Sequence, residues 1–229
     1  RSALMEAASR ASAEVAARLL ERGADPNARD GAGVTPLMEA ARDGGPAVVA
    51  TLLSAGADVA AADAEGRTAL DHALGRFGDR DGPMVVHVDR VAAKDRLLWS
   101  TEDEEVIAMV LDAGARPTGA EAIADAARYG TPAVLRRVLD LLAPASPDRA
   151  VTRALHGAAS NGRAETIPLL LAAGASLEGR LPPEEEDAAG ATPLVLAAAE
   201  GRHAAVRALL SAGADPDAAD DRGRTALHF

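Results

Sequence analysis

The 229-residue chain contains no cysteine, which removes disulfide frameworks, thiol nucleophiles and thiolate metal sites together. Aromatic residues are almost as scarce: one tryptophan, one tyrosine and two phenylalanines. A core without large rings must be built from alanine, leucine and valine. Such small side chains let helices approach closely and serve a β-sandwich poorly. No run of 18 apolar residues occurs, so nothing reads as a membrane-spanning helix. The opening Arg1-Ser2-Ala3-Leu4-Met5-Glu6 lacks the anatomy of a secretory signal. Basic residues are in deficit, 24 against 35 acidic ones, for a formal net charge of -11. That deficit opposes nucleic-acid backbones and anionic membrane surfaces, which are gripped through many Lys and Arg contacts. The expectation is a cytoplasmic protein. The bias toward Ala, Arg and Gly resembles coding from a GC-rich genome and points to bacteria.

What is abundant is periodicity. Aligned on the residue after Thr-Pro or Thr-Ala, positions Leu4, Leu37, Leu70, Ile123, Leu155, Leu194 and Leu227 share one register, with spacings of 33, 33, 53, 32, 39 and 33. A second marker keeps phase with it: Gly23-Ala24-Asp25, Gly56-Ala57-Asp58, Gly114-Ala115-Arg116, Gly174-Ala175-Ser176 and Gly213-Ala214-Asp215. Each follows a leucine-rich helix end such as Leu52-Leu53. Thr35-Pro36 opens a helix, because threonine caps it and proline tolerates the first turn. Leu37, Ala40 and Ala41 then share one face. Gly44-Gly45 interrupt, and Val48, Val49, Leu52 and Leu53 stripe a second helix that Gly56 stops. Asp58 to Gly66 is a polar, hairpin-like connection. One such repeat cannot bury its apolar face alone, so neighbours must stack.

These motifs resemble the ankyrin repeat family. Asp30-Gly31-Ala32-Gly33-Val34-Thr35-Pro36-Leu37, Asp63 to Leu70 and Asp187 to Leu194 fit its D-x-x-G-x-T-P-L opening, and Asp220 to His228 begins a further copy. The resemblance implies an all-α ankyrin-repeat solenoid of stacked helix-turn-helix units joined by hairpin loops, about six repeats plus a partial seventh. As one domain spanning 1–229, the repeats fall at 1–29, 30–62, 63–116 with an insertion at 78–102, 117–147, 148–186, 187–219 and a partial 220–229. The chain starts and stops inside first helices, which predicts a piece of a longer array, since solenoids need polar caps.

Departures from the pattern are where function is sought. The insertion holds His87, Asp89 and the lone Trp99, read as pinning the insertion to the solenoid or anchoring a partner. The fourth repeat is degenerate, with Leu142 where glycine is expected. The exit loop of the fifth carries Pro182-Pro183-Glu184-Glu185-Glu186, a solvated acidic spacer. No histidine joins a metal-ligand or catalytic pattern, and no phosphate-binding glycine loop occurs. His228 and His156 occupy the family's T-P-L-H position, which implies structural hydrogen bonds between repeats. His72 lies one place off it, and His203 falls in a turn. No catalytic, cofactor-binding or metal-binding residue is expected.

The resemblance further implies a concave face made of hairpin tips and first helices. Carried over by position, its partner-binding candidates are Val34, Arg42, Asp43, Glu65, Arg67, Arg76, Arg128, Tyr129, Ser160, Asn161 and Glu200, with Trp99 from the insertion. Arg42, Arg67, Arg76 and Arg128 would make a basic strip suited to an acidic peptide. The expected function is a non-catalytic module, monomeric, binding another protein and neither nucleic acid nor membrane. The alternative is a regulatory or inhibitory ankyrin domain of a larger enzyme. A third class, an enzymatic or small-ligand site in the insertion, would use His87, Asp89 or Trp99.

Overall fold

The computed structural model describes residues 1–43, 45–74, 101–117, 121–142, 148–182 and 189–229. Among these are twelve α-helices, a terminal 3-10 turn at Ala226–His228 and no strand. They gather into two compact units, Arg1–Thr118 and Gly119–Phe229.

In the N-terminal unit, α1 (Ala3–Ser9), α3 (Pro36–Asp43) and α5 (Ala69–Leu74) pack side by side as one layer. The second layer is α2 (Ala13–Glu21), α4 (Pro46–Ser54) and α6 (Thr101–Asp112), each packed on the helix before it. The C-terminal unit repeats the plan. Its first layer is α7 (Glu121–Tyr129), α9 (Asp148–Ser160), α11 (Pro193–Ala199) and the terminal turn. Its second is α8 (Pro132–Leu142), α10 (Ile167–Ala172) and α12 (His203–Ser211). Since α6 begins at Thr101, the last two residues counted into the insertion are helical; the rest of it lies outside the described residues.

Four first-layer helices, α1, α3, α5 and α11, open by one device carrying different side chains. Thr35 Oγ1 accepts from the Met38 N–H at 3.3 Å, and Met38 Sδ accepts in return from the Thr35 N–H at 3.3 Å. Ser2 and Met5 repeat this at α1. At α5 the returning group is a carboxylate, Asp71 Oδ2, 2.7 Å from both the N–H and the hydroxyl of Thr68. At α11 Thr192 caps Val195, whose side chain can return nothing. The cap satisfies helix-end N–H groups that would otherwise lack partners, so the position tolerates several polar or polarizable residues.

The second-layer helices α2, α4, α6, α10 and α12 end on glycine, and α8 does not. Gly56 takes φ 83°, and its N–H and that of Ala57 each reach back to Leu53 and Leu52 carbonyls at 3.0 Å. A side chain at that φ is disfavoured by clash with the backbone, hence the recurrent glycine. The connections are tight turns: the Asp63 N–H donates to the Arg67 carbonyl at 2.9 Å and Gly66 N–H to Asp63 at 3.1 Å. Successive turns are tied together, Ala64 N–H donating to Ala32 C=O at 2.9 Å. Asn27 adds a side-chain bridge one repeat onward, donating to Gly56 C=O at 3.1 Å and accepting from Asp58 N–H at 2.7 Å. Between the layers lie fully buried aliphatics, including Leu37, Leu52, Leu70 and Ile107 in the first unit and Ile123, Leu135, Leu155 and Leu209 in the second.

Candidate protein-interaction surface

In the N-terminal unit the expected contact residues divide by burial. Val34 is buried: its N–H donates to the Asp30 carboxylate at 3.0 Å, and its side chain offers no surface to a partner. Asp43 and Glu65 are exposed, on the end of α3 and on the turn before α5. Arg42 and Arg67 are half-exposed and already engaged. Arg42 pairs with Glu39 at 2.6 Å and Asp43 at 2.8 Å. Arg67 pairs with Asp63 at 3.0 Å and Glu65 at 3.5 Å. Two of the four arginines of the expected basic strip, Arg42 and Arg67, are therefore paired with carboxylates in place. Arg76 and Trp99 lie outside the described residues, as do His87 and Asp89.

Two charge clusters in this unit escaped the sequence reading. Glu39, with only 3% of its side chain exposed, is bracketed by Arg1 at 2.5 Å and Arg42 at 2.6 Å. The carboxylate's hydrogen bond and charge raise the Arg1 pKa further. Asp63 is the hub of the second cluster. Its Oδ1 accepts from the N–H of Glu65 at 3.0 Å and of Arg67 at 2.8 Å, while Oδ2 faces Arg67 Nε at 3.0 Å and His72 Nε2 at 2.8 Å. Burial pushes the Asp63 carboxyl upward, but the Arg67 N–H, His72 and the Arg67 guanidinium outweigh it and hold the pKa below the usual range. His72, one residue off the expected histidine position, is thus the one that reaches the turn. No local signal marked it, because the contact depends on the turn that brings Asp63 against α5.

In the C-terminal unit Arg128 and Tyr129 sit half-buried in the last turn of α7. Arg128 lies across Gly157 of α9, where a Cβ would stand 2.6 Å from its Nε. Ser160 and Asn161 end α9 and turn back on it, the Asn161 amide donating to Gly157 C=O at 2.9 Å. Arg202 Nε in turn donates to Ser160 C=O at 2.9 Å. Glu200 is exposed after α11. Arg128, Tyr129, Ser160, Asn161 and Glu200 thus all belong to the first helices and the turns that follow them.

The histidines divide between the expectation and its exception. His156 is buried and ties its neighbours together: Nδ1 lies 2.9 Å from Thr152 C=O, and Nε2 lies 2.9 Å from Gly179 C=O and 3.2 Å from Ala191 C=O. Burial lowers its pKa, against the pull of those three carbonyls. His228 instead closes its own cap, Nδ1 accepting from the Thr225 N–H at 3.0 Å, and so bonds within a repeat rather than between repeats.

The profile for ankyrin repeats, in three copies, matches residues 2–81 and 155–229, more than half of the chain. The chain belongs to the ankyrin repeat family. Solved structures share its fold: the human ASB11 ankyrin repeat domain superposes with a TM-score of 0.64 at 21% identity, covering 99% of this chain and 90% of that one. A chain from the complex of the Bdellovibrio bacteriovorus predatory endopeptidase Bd0816 with immunity protein Bd3460 gives 0.62 at 22% identity, covering 92% and 98%. No curated protein matches the sequence. Ankyrin repeats are protein-interaction modules. Among the described residues of this ankyrin protein, no three His, Asp or Glu side chains are placed to hold a metal ion. No described helix is long and apolar enough to cross a membrane.

Proposed function

We propose that this ankyrin repeat chain is a non-catalytic protein-binding module that engages its partner through first-layer helix ends and the adjoining turns. The observation that carries the reading is the distribution of burial. The faces of α3, α7, α9 and α11 turned toward the second layer are sealed, while their C-terminal ends leave Asp43, Arg128, Tyr129, Asn161 and Glu200 exposed or half-exposed, with Glu65 on a turn tip. Turns carry few buried apolar contacts, so substitutions there change recognition at little expense to the stack. The occurrence of this fold in a chain from an enzyme–immunity protein complex accords with such a role.

The test is affinity capture from native lysate with two folded variants, Asp43→Lys with Glu65→Lys, and Tyr129→Ala with Glu200→Lys. Arg42 and Arg67 are left alone, because reversing them would set like charges against the buried Glu39 and Asp63 carboxylates. A stoichiometric partner retained by wild type and lost from either variant supports the proposal. A partner retained equally by both variants refutes binding through the first-layer helix ends of either unit.

A further inference from the structure

The C-terminal unit contains a cavity of about 470 Å³ between the first turns of α7 and α9 and the segment Arg180–Pro182. Its lining combines two chemistries. Ala124, Ala150, Leu181 and Pro182 provide an apolar floor, and Arg149, Arg153 and Arg180 provide cations against the single carboxylate of Glu121. Such an excess of positive charge is unusual in a chain of net charge -11. The arginines are held to different degrees. Arg180 donates to Ala219 C=O and lies 3.6 Å from Asp221, and Arg153 pairs with Glu121 at 3.2 Å. Arg149 is exposed and has no polar partner among the described residues. The positive dipole ends of α7, nine residues long, and α9, thirteen, flank the same space. His156 lines the cavity, but its ring nitrogens are taken by backbone carbonyls, so it serves as scaffold.

We propose that this pocket receives an acidic side chain from a partner's peptide segment, with the neighbouring apolar residue packed on the Ala124, Leu181 and Pro182 floor. This rests on the protein-binding reading above. A carboxylate meets Arg149 and the free N–H groups of Arg153 and Arg180, with guanidinium geometry suited to paired contacts. A polyanion is disfavoured, because beyond the pocket the chain's acidic surface repels it. The volume lies within the range of ligand pockets and exceeds what a lone carboxylate fills, which is why the apolar neighbour belongs to the recognition. The acidic-peptide preference expected for Arg42, Arg67, Arg76 and Arg128 is thus assigned to arginines that no sequence motif marks.

The experiment is an NMR titration of the full chain with three probes: acetyl-Glu-Leu-Glu-amide, acetyl-Gln-Leu-Gln-amide and glutarate. The expected result is saturable shifts confined to Arg149, Arg153 and Arg180 side-chain signals and amides of 121–124 and 149–156, with the glutamine peptide about tenfold weaker or worse. Arg149→Glu, whose side chain supports no described contact, should weaken the acidic peptide by about tenfold while leaving the spectrum elsewhere unchanged. Equal binding of the two peptides, or an unaffected Arg149→Glu, overturns the proposal. Glutarate binding as tightly as the acidic peptide also overturns it, in favour of a free-anion pocket. The two readings fail separately. A captured partner that binds Arg149→Glu as tightly as wild type sinks the pocket alone. Discriminating peptide binding, together with a captured partner retained equally by both first-layer variants, sinks the helix-end reading alone.

Discussion

Asp63→Ala should be among the most damaging single polar substitutions in the N-terminal unit, and Asp63→Asn far milder. In the alanine variant His72 Nε2, 2.8 Å from Asp63 Oδ2 in a residue only 6% exposed, loses its partner in a place water does not reach. An unsatisfied buried polar group costs about 1–3 kcal/mol. The Glu65 and Arg67 N–H groups sit in a turn that solvent can reach, so each adds about 0.5 kcal/mol. The Arg67 guanidinium, with 40% of its side chain exposed, rehydrates and adds about 0–1 kcal/mol. The total is about 2–5 kcal/mol. Asparagine keeps an oxygen at the Oδ1 place for both N–H groups, and its amide donates to His72 in the other tautomer, leaving a loss of about 1 kcal/mol. Stacked repeats need not unfold in one step, so urea midpoints should be read beside hydrogen exchange at the Glu65 and Arg67 amides. Combining Asp63→Ala with His72→Ala should cost less than the sum by about 1–2 kcal/mol. An alanine loss below about 0.5 kcal/mol, or asparagine as damaging as alanine, would refute acceptor geometry as the source of the effect.

Other outcomes follow from the same geometry. Gly33→Ala should destabilise by more than Gly56→Ala, although both have positive φ. A Cβ at Gly33 would stand 3.2 Å from the Ala64 nitrogen, whereas at Gly56 it meets nothing within 4 Å. We expect about 1 kcal/mol at Gly56 from backbone strain and about 2 or more at Gly33, read by thermal or urea unfolding. Leu52→Ala, at a fully buried site in α4, should cost about 2–5 kcal/mol in the same measurement. Asp63 and Asp220 both have depressed pKa values; at Asp220 burial acts upward but is overcome by hydrogen bonds from the Arg224 N–H and guanidinium and the Arg222 N–H. Their stabilisation is therefore whole above about pH 4 and lost as pH falls through the lower folded values, a slope that Asp63→Asn should reduce. His156 is also depressed, chiefly by burial, so its neutral form favours folding. Stability of the C-terminal unit should drop as pH falls below about 6.5, and a His156→Asn variant that retained this drop would count against the assignment.

The repeat architecture was legible because its determinants are local. Thr35-Pro36, Gly56 and the stripe of Val48, Val49 and Leu52 act within a few residues of themselves, through caps, positive φ and helical spacing. Placing the first-helix ends of each unit in a layer of its own needed only that period. The electrostatic state of individual residues was not legible, because it depends on groups brought together from distant positions. Arg42 reads as a free cation in sequence, yet Glu39 beside it is buried and shared with Arg1. His72 looked misplaced until the turn set Asp63 against it across nine residues. Val34, expected at an exposed tip, is buried, with its N–H bonded to the Asp30 carboxylate. Arg149, Arg153 and Arg180 converge only because α7, α9 and the segment after α10 surround one cavity. Periodicity along the chain thus determined the helices, their caps and their layers. Which charges are neutralised and which stay available was decided by tertiary structure, since Coulomb and hydrogen-bond energies depend on distances that no repeat spacing encodes.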